Sequence, residues 1–179
     1  LRDEYEPLIR ALVNSPVPTV TALTGAAAGA GANLALAADI VIAKSSAYFV
    51  QAFSRIGLIP DVGGTYFLPR AMGLAKAMGS SIFADKIMAA EAHEIGLIYE
   101  YVEDDNYDIH LKSRVEYLAN GPTVAFAGIK TAMRKSLNNS LDEQLELEAK
   151  LQKKCGNTRD FQEGVLAFHE KRDAKFEGR

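Results

Sequence analysis

Cysteine is nearly absent. Cys155 is the single one in 179 residues, which excludes an internal disulfide framework and any multi-cysteine metal site and fits a reducing compartment. Histidine is scarce: His93, His110 and His169 have no partner at metal-ligand spacing, and no metal is expected. A large excess of either charge is missing too. The 20 Lys+Arg against 23 Asp+Glu leave a net charge of −3, with no basic stripe for nucleic acid to bind by charge. What the chain does have is ordinary. Its 48% hydrophobic and 24% charged residues exclude the disordered and collagen-like classes, and its length can bury a sizeable core.

One stretch without charge, Ala11–Ala38, is long enough to span a bilayer. It contains Pro16, Pro18, Gly25, Gly29 and Gly31 and is built from Ala and Thr more than Leu or Phe. It reads as strand, turn and small-residue helix, so no membrane partner is expected. No basic segment followed by an apolar one opens the chain, and the first residue is not Met. The expectation is a cytoplasmic protein whose sequence begins partway into a longer polypeptide.

Residues 2–14 are acidic first and apolar later, with Leu8, Ala11 and Leu12 at helical spacing, and Pro16 and Pro18 end that helix. Thr19–Leu23 is a strand rich in β-branched residues. Gly25–Gly31 is expected to be a turn of tiny residues feeding a helix over Gly29–Ala37. Strands follow at Asp39–Ala43 and Ala47–Val50. This order is βαβ-like and implies helices packed on a sheet. Gly57–Thr65 is a loop punctuated by Pro60 and Gly63–Gly64. A helix is expected over Leu68–Phe83 with Pro69 near its start, then a short helix stopped by Gly96, then a strand at Ile98–Val102. From Tyr107 onward the pattern is helical, with breaks at Gly121–Pro122, Asn138–Ser140 and Gly156–Asn157.

Two segments are candidate sites. The run Gly25-Ala-Ala-Ala-Gly-Ala-Gly-Ala-Asn33 lets another group approach the backbone closely. A helix starting there would offer free N–H groups that can stabilise an oxyanion. The same small residues also serve tight packing of a helix on a sheet. The run lacks the Gly-Lys-Ser/Thr ending of a phosphate loop. Asp61 sits among Ile59, Pro60 and Val62, with Phe53, Ile56 and Leu58 upstream. A buried carboxylate in apolar company suits a general base, but the segment alone favours an N-cap for the helix that follows. Cys155, between Lys154 and Gly156, has no His or Asn partner and reads as a packing or surface thiol.

Gly25–Asp39 with Ile40-Val-Ile-Ala43, then Gly57-Leu-Ile-Pro60, Gly63-Gly-Thr65 and Leu68-Pro-Arg70, resemble the enoyl-CoA hydratase/isomerase (crotonase) family. The ending agrees, with Glu163-Gly-Val165, Ala167-Phe168, Glu170-Lys-Arg172 and Phe176. The resemblance runs from about Pro16 to Arg179. It implies an α/β fold: a spiral of ββα units over residues 1–104, incomplete at its N-terminus, and a helical oligomerisation region over 105–179 that makes trimers or hexamers. It implies a CoA thioester as substrate, no separate cofactor, and an enolate intermediate. Two backbone N–H groups would hold the thioester oxygen. One falls on Ala30, with Ala28 and Gly29 beside it, and the other lies upstream of the given sequence. Phe168 and Lys171 match positions that contact the adenine and phosphate end of CoA, often from a neighbouring subunit.

The acid/base positions depart from the hydratases. The two hydratase glutamates match Asn33 and Phe53, which cannot accept a proton and are left as substrate-binding positions. A carboxylate stands instead at Asp61, where several isomerases of the family carry a functional acid. The stretch Gln51–Asp61 most resembles the phenylacetate-degradation branch, whose member isomerises a ring-epoxidised phenylacetyl-CoA. The expectation is therefore an isomerase with Asp61 as its single acid/base. The alternatives are an enoyl-CoA hydratase of fatty-acid or aromatic-acid degradation and, from another class, an RNA-binding or non-catalytic subunit of the same fold.

Overall fold

The computed structural model describes residues 2–179. After helix α1 (Tyr5–Val13) the chain forms β1 (Val20–Leu23), β2 (Ala26–Ala28) and α2 (Ala30–Leu36). It continues with β3 (Ile40–Lys44), β4 (Tyr48–Val50) and α3 (Gly64–Phe83), then β5 (Ile87–Met88), α4 (Ala89–Glu94) and β6 (Glu100–Val102). Helices α5 (Tyr107–Ala119), α6 (Thr123–Ser136), α7 (Leu141–Gly156) and α8 (Arg159–Glu170) complete it. Short 3₁₀ turns lie at Ala52–Ile56 and Asp104–Asn106.

The strand–strand–helix order repeats, and each repeat lays its first strand on one sheet and its second on another. One sheet runs β1–β3–β6 and the other β2–β4–β5. In the first, Val20 pairs with Ile40 and Ile42 with Glu100, both in parallel. In the second, β2 and β4 are parallel while β4 and β5 are antiparallel. This is the expected spiral of ββα units. The central β3 reads Ile-Val-Ile-Ala-Lys and buries Val41, Ile42 and Ala43. A continuous apolar run is what a parallel strand covered on both faces requires.

Polar side chains fix the register. Thr19 donates to Asp39 Oδ2 through its N–H (2.8 Å) and its hydroxyl (2.9 Å), and the Asp39 N–H donates back to Thr19 Oγ1 at 3.0 Å. Bonds of this kind contribute about 1 kcal/mol each, and they pin the entry to β1 beside the entry to β3. At the first residue of α5, the fully buried Tyr107 donates its hydroxyl to the Ile42 carbonyl at 2.9 Å. Burial pushes this phenol up to about 12.

Two local expectations are corrected. Ala26–Ala28 is not part of a turn but strand β2, paired Ala26–Tyr48, Ala27–Phe49 and Ala28–Val50. Alanine has little strand preference of its own, so β4 supplies the order. Helix α3 starts at Gly64 rather than Leu68, which puts Pro69 inside it, and it kinks at Gly73 (φ 76°, ψ 160°).

The described residues fall into two compact units, one built on Thr19–Lys112 with α1, the other on Ser113–Arg179 with Pro16–Pro18. The core of the first is rich in alanine, with Ala32, Ala43, Ala89 and Ala92 fully buried around Phe49 and Leu68. In the second, α7 starts with a capping box, Ser140 accepting from the Glu143 N–H while Glu143 bonds the Ser140 N–H at 2.8 Å, which closes two orphan donors. Thr158 caps α8. The buried Asp160 accepts from the N–H groups of Glu177 (2.7 Å) and Gly178 (3.0 Å) and so ties the C-terminal tail to α8. Arg172 grips Glu163 with both arms of its guanidinium, at 2.6 and 3.0 Å, and these bonds hold the Glu163 carboxyl down at about 2. Among the described residues no helix is long and apolar enough to cross a membrane.

Candidate active site

The small-residue segment places a bare backbone between β2 and α2. Gly29 takes φ 52°, ψ −125°, a conformation in the left-handed half of the map that a side chain would resist. Its N–H donates to the Val50 carbonyl at 2.9 Å. Ala30 is the first residue of α2, so its N–H has no carbonyl to bond within the helix. Ala28 and Gly31 are exposed and Ala30 is half-buried. Nothing in this turn is bulkier than a methyl group. Phe53, buried in the 3₁₀ turn after β4, covers Gly29: a Cβ at Gly29 would lie 3.7 Å from its ring.

Asn33 projects from α2 into the interior and is completely shielded from solvent (0% exposed). Its Nδ2 donates to the backbone carbonyl of Asp61 at 2.9 Å, and its Oδ1 accepts from Gln51 Nε2 at 2.9 Å. Asn33 therefore joins α2, the end of β4 and the Asp61 loop. The Asp61 carbonyl also accepts the Gly64 N–H at 2.8 Å. Gly64 is packed so closely on Asn33 that a Cβ there would collide with the amide group.

The Asp61 carboxylate does not cap α3. The N-cap is Gly63, and no side chain caps the helix there. Instead Asp61 Oδ1 is shielded from solvent and has no hydrogen-bond donor. The next residue, Val62, is held at φ 51°, which for a β-branched residue is strained by about 1–3 kcal/mol. Strain of this size persists only where the surroundings over-determine the backbone, here through the bonds onto the Asp61 carbonyl and the packing of Gly63 and Gly64.

Among the residues singled out from sequence, the structure brings together Asn33 with Asp61, and Phe53 with Gly29, while Ala30 opens the helix that carries Asn33. Phe168 and Lys171 belong to the second unit. Phe168 is 82% exposed, so it is not a core aromatic of this chain. With Phe161, Val165 and Phe176 it lines an open apolar cavity of about 400 Å³. Lys171 ends α8 in the left-handed conformation (φ 54°) and is exposed. Sequence reasoning missed Gln51. The available signal was one amide side chain between the apolar strand Tyr48–Val50 and Phe53. Among the described residues no group of three or more His, Cys, Asp or Glu could hold a metal ion.

The sequence pattern of the family described as "Enoyl-CoA hydratase/isomerase" matches residues 1–179, and the chain belongs to that family. A Rhodobacter capsulatus protein named "Probable enoyl-CoA hydratase" is 56% identical over 179 residues, covering 100% of this chain and 70% of that protein. The Escherichia coli K12 protein named "1,2-epoxyphenylacetyl-CoA isomerase" is 46% identical over 175 residues, covering 98% of this chain and 67% of that one. The crystal structure of an enoyl-CoA hydratase from Polaromonas sp. JS666 superposes with a TM-score of 0.91 at 31% identity, covering 98% of this chain and 70% of that one.

The contact of Gly64 with Asn33 generates a prediction. Gly64→Ala should destabilise the fold by about 1–3 kcal/mol, the usual consequence of overpacking a filled interior. Urea unfolding measures this, and an unchanged midpoint would show that the Asn33 amide can move aside.

Proposed function

We propose that the protein is an acyl-CoA isomerase that moves a double bond, or opens a ring epoxide, through the enolate of a CoA thioester, with Asp61 as its single acid/base. The observation that carries this is the state of the three acid/base positions. Both polar atoms of Asn33 are used in hydrogen bonds, Phe53 is apolar, and Asp61 presents a carboxylate oxygen that is hidden from water and accepts from no donor. The E. coli relative's name gives a second support, and the strained Val62 beside Asp61 a third.

For a substrate with its double bond one carbon removed from conjugation, Asp61 Oδ1 takes a proton from the carbon next to the thioester carbonyl. The electron pair of that C–H bond forms the carbon–carbon double bond of the enolate, and the carbonyl π pair moves onto the thioester oxygen, which takes the charge. The Ala30 N–H donates to that oxygen, with Ala28 and Gly29 leaving room for it. The Asp61 carboxylic acid then returns the same proton to the far carbon of the former double bond. One proton leaves and one returns, no water is consumed, and one carboxylate is enough. Asn33 and Phe53 border the substrate rather than react with it. No separate cofactor takes part, because CoA is part of the substrate.

The second reading is an enoyl-CoA hydratase of fatty-acid or aromatic-acid degradation. The name of the R. capsulatus relative favours it. Adding water across a double bond calls for an acid and a base, and only one carboxylate stands at the three positions.

The exposed Phe168 and Lys171 are assigned to the adenine and phosphate end of CoA, across the interface of a homotrimer or a pair of trimers. Light scattering should report such an assembly at micromolar concentration, and a stable monomer would remove this assignment. Asp61→Asn should keep the fold and CoA affinity while lowering kcat for double-bond migration by about 10²–10⁴-fold, the usual contribution of a general acid/base. A variant within about a factor of two of the parent would be too active for a lost acid/base and would sink the role of Asp61.

A further inference from the structure

The buried polar chain Gln51–Asn33–Asp61 has a fixed polarity. The Asp61 carbonyl can only accept, so Asn33 must turn Nδ2 toward it (2.9 Å). Asn33 Oδ1 then faces Gln51, and Gln51 must present Nε2 (2.9 Å). This leaves Gln51 Oε1 without a donor although the residue is only 2% exposed. Among the described residues the buried side-chain atoms without a partner are Gln51 Oε1 and Asp61 Oδ1, one in the first residue of this chain and one in the last. An unpaired buried acceptor is unfavourable. An apolar side chain of similar length would remove that orphan but strand Asn33 Oδ1 in its place. The Gln51 amide thus adds little net stability, and what it supplies is a second anchor for the Asn33 amide.

We propose that Gln51 is a positioning residue for the reaction: through Asn33 it holds the Asp61 peptide, and hence the Asp61 carboxylate, in the place from which the proton is moved. The proposal rests on the reading of Asp61 as the acid/base. When Nε2 is removed, the Asn33 amide is held at one end only, by its bond to the Asp61 carbonyl. The loop keeps the Gly64 N–H bond to the Asp61 carbonyl and so stays folded, but its tie to α2, the helix whose first residue is Ala30, is less rigid.

The experiment compares Gln51→Met, Gln51→Glu and Asp61→Asn in the purified protein, with kcat, KM and melting temperature measured for double-bond migration in 3-enoyl-CoA. Gln51→Met should lower kcat by about 10- to 100-fold, the scale of a small misplacement at a reacting centre. KM should stay close to the parent value, and the melting temperature should change little, because the variant strands Asn33 Oδ1 but removes the unpaired Gln51 Oε1. In Gln51→Glu the ionised carboxylate attracts Asn33 Nδ2 away from Asp61, whereas the protonated form donates to Asn33 Oδ1 as the amide does. Its kcat relative to the parent at the same pH should therefore be highest in acid and fall as pH rises through the pKa of the introduced acid, which burial raises. A Gln51→Met variant with parental kcat would overturn the proposal. So would a loss of kcat matched by a loss of melting temperature, or a Gln51→Glu ratio that does not change with pH. If Asp61→Asn retains activity, the acid/base reading fails and Gln51 has nothing to position. If Asp61→Asn is inactive while Gln51→Met matches the parent, only the role of Gln51 falls.

Discussion

A fully buried amide is unfavourable unless the protein itself supplies its hydrogen bonds, and in this chain Asn33 has both of its polar atoms bonded. The side chain has no access to water, and its two polar atoms are satisfied by groups 18 and 28 residues further along the chain. Those bonds connect α2, the end of β4 and the loop before α3. Gly64 must lack a side chain because the Asn33 amide occupies its flank. Val62 is held in a strained conformation because the residues on either side of it are fixed, Asp61 by Asn33 and Gly63 by its packing. Losing the Asn33 amide would strand the Gln51 amide in a dry interior, a penalty of about 1–3 kcal/mol. The position of the Asp61 loop is thus tied to the helix that begins at Ala30.

This arrangement bears on which chemistry the fold supports. A carboxylate at Asn33 could not donate to the Asp61 carbonyl unless protonated, and it would set two acceptors against each other. The Asp61 loop as folded here therefore depends on a neutral amide at Asn33. Phe53 puts an apolar ring, with no acid or base, against Gly29. The carboxylate that remains has one oxygen free of any donor.

Much of the fold was legible in the residues. The breaks between α5, α6, α7 and α8 coincide with Gly121–Pro122, Asn138–Ser140 and Gly156–Asn157, because capping and proline–glycine chemistry act over a few residues and leave a local mark. The apolar run of β3 was legible for the same reason. Strand β2 was not: three alanines carry no period and no β preference, and their order comes from β4, more than 20 residues away. The start of α3 was misplaced because Gly63 and Gly64 read as loop residues, while their lack of side chains is needed for packing on Phe67 and Asn33. At the site, Ala30, Asn33, Phe53 and Asp61 stood out through motif position. Gln51 did not, because its bond reaches back across two strands to a residue of α2, and a single glutamine carries no pattern.

The central claim is that one carboxylate moves one proton and that water takes no part. The most direct measurement is incubation of the purified protein with 3-enoyl-CoA in ¹⁸O-labelled water, with all acyl-CoA products identified by mass. The account predicts 2-enoyl-CoA that carries no ¹⁸O, formed in an excess that persists at early times. Unchanged 3-enoyl-CoA, together with rapid formation of ¹⁸O-bearing 3-hydroxyacyl-CoA from 2-enoyl-CoA in a parallel sample, would contradict it and make the protein a hydratase.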